Sequence, residues 1–453
     1  MLYDFLQLNR HDPVSLCDQL FKELRNAIVS GKLRTGERLT SIRQAASELG
    51  ISRTTVETAY SKLCMEGYAE SKPQSGYHVR AVHPRRSTNP EPRGWVPKYD
   101  FGTSSIDLQA ADLENWKKLV RAVLTDSSTV TGYGDPQGEL ALREQLTNYT
   151  YRARGVVAEP ESIFIGAGVG PLLQLLCPLL PQKVPIVMES PGFSQAEQIF
   201  KDFGFPVIVP STMDTRYESP KLPQLDWVIA AELPSLRPKA SSGAVAARKN
   251  LLNQWVQEKP GRYVLEDDYN GELRYCTRAL PAFQGSCPEK TIYLGSFSKL
   301  LLPSVRMAYM VLPPELACHA KDRVKILNQT AGKTEQLAMA EYIRTGLLEK
   351  HLRRLRRINA RKSQCLLGEI QKVFGCKASC TLYETHLFMI LTLDADANGE
   401  KLCRIARQAG IACRTAPGFF GDKPQIALGF SAISNEDIPR GIETLYNAWE
   451  PLL

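Results

Sequence analysis

The sequence predicts a multidomain chain: a small α+β unit over residues 1–80, a linker over 81–98, and a larger α/β domain over 99–453. Three observations predict it. Residues 14–80 carry short helical patterns that end in a turn-rich, glycine-containing stretch. Residues 81–98 read AVHPRRSTNPEPRGWVPK, with four prolines and four Lys or Arg, too polar to bury a face and biased towards extended structure. Beyond residue 99, apolar runs such as SIFIG, YVLED and TIYLGS alternate with amphipathic helical patterns, as strands and covering helices of a largely parallel sheet do.

Composition narrows the setting. The chain has 453 residues, 43% hydrophobic and 23% charged, which is ordinary for a globular protein long enough for two or three folding units. Lys and Arg number 56 against 48 Asp and Glu, a formal charge of +8 that permits a polyanionic partner without proving one. Eleven cysteines lie scattered with no CxxC pair, which suits reduced thiols and speaks against a metal site. No run of apolar residues is long enough to span a bilayer, and the N-terminus lacks the basic start and apolar core of a signal peptide. The expected location is the cytoplasm, with no membrane partner.

In the first unit, Ile42, Ala45, Ala46 and Leu49 form one helix face, and Gly50 suits a left-handed C-cap. Ser52 can cap a second helix whose apolar face carries Val56, Ala59, Tyr60 and Leu63. Two helices joined by so short a turn form the unit that places a second helix in the DNA major groove, with its first residues at the base edges. Here those residues are Ser52, Arg53, Thr54 and Thr55, each a hydrogen-bond donor for bases or phosphates. The stretch Gly67–Val79 reads as two short strands around a polar turn, a β-wing. Together GKLRTGERL, SIRQAASELGISRTTVETAY, KLCMEGY and SGYHV resemble the GntR family of winged helix-turn-helix regulators. The resemblance implies that Arg43, Arg53, Thr54, Thr55 and Gly76 touch double-stranded operator DNA. One departure is Thr40, where the family usually has Pro.

In the second domain the informative segment is Gly295-Ser-Phe-Ser-Lys299 followed by Arg306. A lysine at a strand end can form a Schiff base with an aldehyde cofactor, and Ser296, Ser298 and Arg306 can hold a phosphate beside it. Asp267, at the end of YVLED, could pair with a protonated ring nitrogen, and Tyr269 could donate to a ring oxygen. Gly168, Val169 and Gly170 follow the strand Ile163-Phe-Ile and could open a helix N-terminus to an anion, with Pro171 at the first helical position. Phe193 could stack on the ring. With Tyr133-Gly-Asp-Pro-Gln-Gly138, Leu142-Arg143, Arg154-Gly155 and Leu428-Gly429-Phe430, these residues resemble fold type I pyridoxal 5'-phosphate enzymes of the aminotransferase class, from about residue 99 to the end.

A GntR reader fused to such a domain resembles the MocR (GabR-like) subfamily. That resemblance implies a homodimer, usually head-to-tail, whose cofactor-bound domain responds to a small-molecule effector and controls genes of amino-acid, GABA, taurine or vitamin B6 metabolism. The expectation is therefore a transcription regulator rather than an enzyme, with an active aminotransferase bearing a DNA-binding appendage as the alternative. A third reading makes the domain a dimer scaffold without coenzyme.

Several positions leave the family pattern. The segment Leu236–Ser241 replaces the usual His-Gln-x-Pro-x-Gly, Val169 and Gly170 replace hydroxyl and Gln side chains, and Ala308 replaces a Gly. Most consequential, Ile426-Ala427-Leu428-Gly429-Phe430 lacks the arginine that clamps a substrate carboxylate. Arg414 and Arg237 are the conceivable substitutes, neither placed by the sequence, and the expected effector is a B6 vitamer or a ligand with no α-carboxylate. Finally, the basic run Lys350–Lys362 has apolar Leu352, Leu355 and Ile358 at helical spacing. It is expected as an amphipathic helix that is solvated, faces the dimer partner or contacts phosphates.

Overall fold

The computed structural model describes residues 6, 8–10, 12–80, 95–102, 106–181, 184–188, 194–208, 229–232, 242–268, 270–276, 281–383, 387–416 and 423–453. The chain divides into two compact units, Met1–Trp95 and Val96–Leu453. Of the expected linker, residues 81–94 lie outside the described residues.

The first unit contains α1 (Leu16–Val29), α2 (Ile42–Leu49), α3 (Arg53–Met65), β1 (Ala69–Lys72) and β2 (Gly76–Val79). Serines start all three helices: Ser15, Ser41 and Ser52 each accept a backbone N–H from the first turn. Gly50 ends α2 in the left-handed region at φ 63°, the conformation glycine tolerates at least cost. The expected face of α3 is buried, and that of α2 is buried at Ala45 and Ala46 and half-buried at Ile42 and Leu49. Ala45, Val56, Ala59, Tyr60 and Leu63 pack with Leu20 and Leu24 of α1, the fully buried valine and leucines contributing about 1.5–3 kcal/mol each. Tyr60 keeps its hydroxyl satisfied by donating to the Thr40 carbonyl at 2.9 Å. The strands β1 and β2 pair antiparallel, and the backbone at Gly36–Leu39 bonds to the outer side of β2 through Tyr77 and Val79.

The strands of the second unit are β3 (Tyr99–Asp100), β4 (Ile163–Gly166), β5 (Ile186–Met188), β6 (Val207–Ile208), β7 (Ile229–Glu232), β8 (Tyr263–Asp267), β9 (Thr291–Ser296), β10 (Ala308–Val311), β11 (Ala378–Tyr383), β12 (Phe388–Leu393), β13 (Ile411–Ala412), β14 (Arg414–Thr415) and β15 (Gln425–Gly429). Seven of them form one sheet in the order β4-β10-β9-β8-β7-β5-β6. The run β9-β8-β7-β5-β6 is parallel and β10 alone runs against its neighbours, so the largely parallel sheet expected from the apolar runs is present. The strands β4, β8 and β10 are buried along their whole length, as a sheet covered on both faces requires. A second, antiparallel sheet has the order β11-β12-β15-β14, and β3 pairs parallel with β13. Adjacent parallel strands with a change of direction at one side leave their C-terminal ends as the natural place for a ligand.

The basic run lies in the helix Leu347–Phe374, and three of its cations are spent inside the unit. Lys362 is buried on Asp107 at 2.8 Å, Arg356 donates to the Glu272 carbonyl at 2.7 Å, and Arg354 donates to the Gln109 carbonyl. Part of the expected solvated face is thus structural cross-bracing.

Candidate functional site

The C-terminal ends of β8 and β9 and the loop after β4 bring the second unit's candidate residues together. Gly168 caps the helix Val169–Leu176 at φ 95°, so Val169, not Pro171, takes the first helical position. A Cβ on Gly168 would stand 2.7 Å from Nη2 of Arg306, so the missing side chain is what lets the guanidinium approach the helix N-terminus. Arg306 reaches it from a left-handed conformation, φ 48°, at the end of the Pro303–Val305 turn. A positive helix end and an exposed guanidinium converging on one spot form an anion cradle.

Two residues join the cradle that the sequence did not single out. A Cβ at Gly170 would lie 3.2 Å from the Gln195 amide nitrogen, so an amide from a different helix fills the space that a side chain at 170 would occupy. The Thr330 hydroxyl accepts the Ala167 N–H at 3.0 Å across 163 residues of sequence. No local pattern could have disclosed either contact. Ser296 and Ser298 sit together, Oγ to Oγ 3.1 Å, at the turn that leads to Lys299.

Lys299 is buried, and desolvation pushes its amine down to about 8, with Arg414 lowering it and Asp100 raising it. A lysine so placed has a substantial neutral fraction near neutral pH, as a carbonyl-attacking amine requires. On β8, burial first and the Asp268 charge second push the Asp267 carboxyl up to about 7. Asp268 itself is committed: it is buried against Arg154, whose Nη2 donates at 3.2 Å, and it accepts the Tyr293 hydroxyl at 2.8 Å. The two adjacent acids are therefore divided, one structural and one with no hydrogen bond of its carboxyl among the described residues. Phe193, Tyr269 and Arg237 lie outside the described residues.

Arg143, expected only as part of a pattern, holds the loop before β4 by donating to the Gly138 and Pro160 carbonyls, each at 2.8 Å, and to Asp135. Among the described residues no group of His, Cys, Asp and Glu has the arrangement of a metal site.

In the first unit, Arg53 opens α3 with its side chain exposed, next to exposed Thr54; Arg43 is exposed on α2. Ser52 and Thr55 use their hydroxyls on each other at 2.7 Å while Ser52 also caps the helix, so their first duty is to fix where α3 begins. Gly76 opens β2 at φ 86°, with the Arg38 guanidinium against it, a cation the sequence reading missed.

Residues 16–79 match the family of bacterial regulatory proteins, gntR family, and residues 97–445 match Aminotransferase class I and II. The HTH-type transcriptional regulator YhdI of Bacillus subtilis is 32% identical over 462 residues, covering 98% of each chain. The chain belongs to the MocR-like GntR regulators. MocR of Rhizobium meliloti, a probable rhizopine catabolism regulatory protein, is 29% identical over 98% of this chain and 96% of its own. Among solved structures, LysN, an α-aminoadipate aminotransferase of Thermus thermophilus complexed with N-(5'-phosphopyridoxyl)-L-leucine, aligns with a TM-score of 0.67. It covers 78% of this chain and 92% of its own at 23% identity, which shows the shared fold of the second unit. Among the described residues no helix is long and apolar enough to cross a membrane.

Proposed function

We propose that this MocR-like regulator reads operator DNA with α3 and its wing, binds pyridoxal 5'-phosphate at Lys299, and converts occupancy of that pocket into a change of DNA affinity. The observation that carries the cofactor assignment is the cradle: Gly168, bare of a side chain, faces Arg306 seven residues beyond Lys299. There the phosphate would meet the N–H groups of Val169 and Gly170, the Arg306 guanidinium and the hydroxyls of Ser296 and Ser298. Asp267 would face the ring nitrogen; its raised carboxyl is the signature of an acid that awaits a cation. The bound group supplies an aldehyde and an electron sink, and the chain's residues hold it and exclude water. Phe193 and Tyr269 would complete the site as ring-stacking and ring-oxygen partners. Arg43, Arg53, Thr54 and Gly76 would meet DNA, with Ser52 and Thr55 setting the helix start. A head-to-tail homodimer would present two reading units to a two-fold operator. In the cytoplasm, the pocket would serve sensing rather than turnover; the rival reading is an aminotransferase with an appended reader, in line with the activity of LysN.

The test is Lys299→Ala. The purified wild-type protein incubated with pyridoxal 5'-phosphate should turn yellow and keep the group after borohydride reduction, and its operator affinity should change on loading. The variant should stay folded, lose the trapped group and lose that change. A variant that still traps the cofactor refutes the anchor; steady release of keto acid from an amino donor favours the enzyme.

A further inference from the structure

We propose that Arg414 binds a carboxylate of the pocket's effector, standing in from the neighbouring strand for the arginine that position 427 lacks, so that the effector is an amine bearing a carboxylate. The proposal rests on the cofactor reading above. In the antiparallel pair β14–β15, Arg414 lies directly opposite Ala427. Directly opposed residues share a face, with Cβ atoms about 4.5–5.5 Å apart. A side chain as long as arginine can span that offset and deliver its head to the region an arginine at 427 would serve.

The surroundings show which way that face looks. Ala427 is buried with Tyr383, Phe388, Ile390 and Ala416. On the other side of β15, Ile390 pairs with Ala427 and Phe388 with Gly429, so Phe388, Ile390, Ala427 and Arg414 share one face. The Arg414 guanidinium lies over the Phe388 ring, 5.4 Å from its centroid. Stacking engages the face of a guanidinium and a carboxylate engages its in-plane N–H edge, so the two contacts are compatible and the first orients the fork for the second.

The pocket itself is close by. The charge of Arg414 is felt at the Lys299 amine, the proposed cofactor anchor, as is that of Asp100. Asp100 arrives through the β3–β13 pairing, opposite Ala412, and turns one carboxylate oxygen onto the Gly102 N–H at 2.8 Å. Gly429 closes the gap: its N–H donates to the Phe101 carbonyl at 2.7 Å, and a Cβ there would meet the Gly102 carbonyl oxygen at 2.3 Å. Thus the segment 99–102 packs on the end of β15, and Asp100 and Arg414 are the charges felt at Lys299, which places them around the space an amine joined to the cofactor would enter. An amine joined there to the cofactor leaves its carboxylate within that space, where an unpaired anion is costly and a charge-assisted pair is favourable. On this proposal Arg414 is the substitute named beside Arg237 in the sequence, and the effector carries the carboxylate that Ala427 cannot hold.

The experiment uses the full-length protein loaded with pyridoxal 5'-phosphate. The standard L-amino acids and γ-aminobutyrate are titrated beside the amines that lack the carboxylate, such as isoamylamine for leucine and tyramine for tyrosine. The visible spectrum and operator affinity are followed together. At least one acid should outbind its matched amine in the wild type. Arg414→Ala should lower the ratio of acid to amine affinity by ~10–100-fold, the matched amine correcting for any effect of the lost charge on Lys299. If no acid outbinds its amine, or Arg414→Ala keeps the preference, the clamp assignment is wrong. A wild-type protein that never colours with the cofactor overturns the underlying reading instead.

Discussion

Burial and the neighbouring Asp268 charge push the Asp267 carboxyl up to about 7 from 3.8, and the direction has a thermodynamic consequence without cofactor. A carboxyl whose folded value lies above its unfolded one leaves the native state holding more protons across that interval. Its contribution to stability is fully present below the unfolded value and is lost as pH rises through about 7. Without cofactor, Asp267→Asn should therefore lose less stability than the wild type as pH rises from 4 to 8, the gap between them widening by about 1–3 kcal/mol in urea unfolding. The same variant should bind pyridoxal 5'-phosphate more weakly, because the ring nitrogen loses its counter-charge. A wild type whose advantage grows towards pH 8 would place another group at the site. Sequence placed Asp267 at the strand end, but the partner that commits its neighbour Asp268, Arg154, lies more than a hundred residues away and has no local signal.

At the scale of elements, the caps and faces of the reading unit were written locally. Ser41, Gly50 and Ser52 punctuate α2 and α3, and the apolar residues at 56, 59, 60 and 63 are the buried ones. What sequence could not assign was the division of labour at the start of α3, because a serine and a threonine three residues apart can face DNA or each other. Here they bond to each other, which leaves Arg53 as the long cationic side chain at that end. Arg53→Ala should weaken operator binding by about 1–3 kcal/mol. Its log affinity should also fall less steeply with log salt than the wild type's if the side chain meets a phosphate, and equally steeply if it meets a base. Mobility shifts at several salt concentrations check both, and unchanged affinity would remove α3 from the groove. The proposed anchors of the second unit could be named for the same local reason: Asp267 ends one short apolar strand and Lys299 follows another. Thr330 and Gln195 were not, since the fold alone brings them to the cradle.

For the whole molecule, a pocket in one unit can govern DNA affinity in the other only through a coupling free energy, and such coupling is reciprocal. If loading with pyridoxal 5'-phosphate or an amino acid changes operator affinity by some factor, in the usual range of ~5–150-fold, the operator must change ligand affinity by the same factor. Titrating the ligand by its visible spectrum with and without operator duplex measures the second factor, and mobility shifts measure the first. Unequal factors would mean that a third equilibrium, such as dimer assembly, intervenes. Domain order was plain from composition, because the Pro- and Arg-containing stretch separates two different periodicities.

The register that sets Arg414 opposite Ala427 also constrains how such a pocket could have been reached through single substitutions. Losing the arginine at 427 first would leave an ancestor with no cation for its ligand. Gaining one at 414 first keeps the ligand bound throughout, but puts two like charges directly across a strand pair, which is destabilising. That repulsion would favour keeping only one of the two, and an alanine suits the buried position at 427. A strand pair thus gives a lineage two addresses for one charge, with a built-in pressure against occupying both.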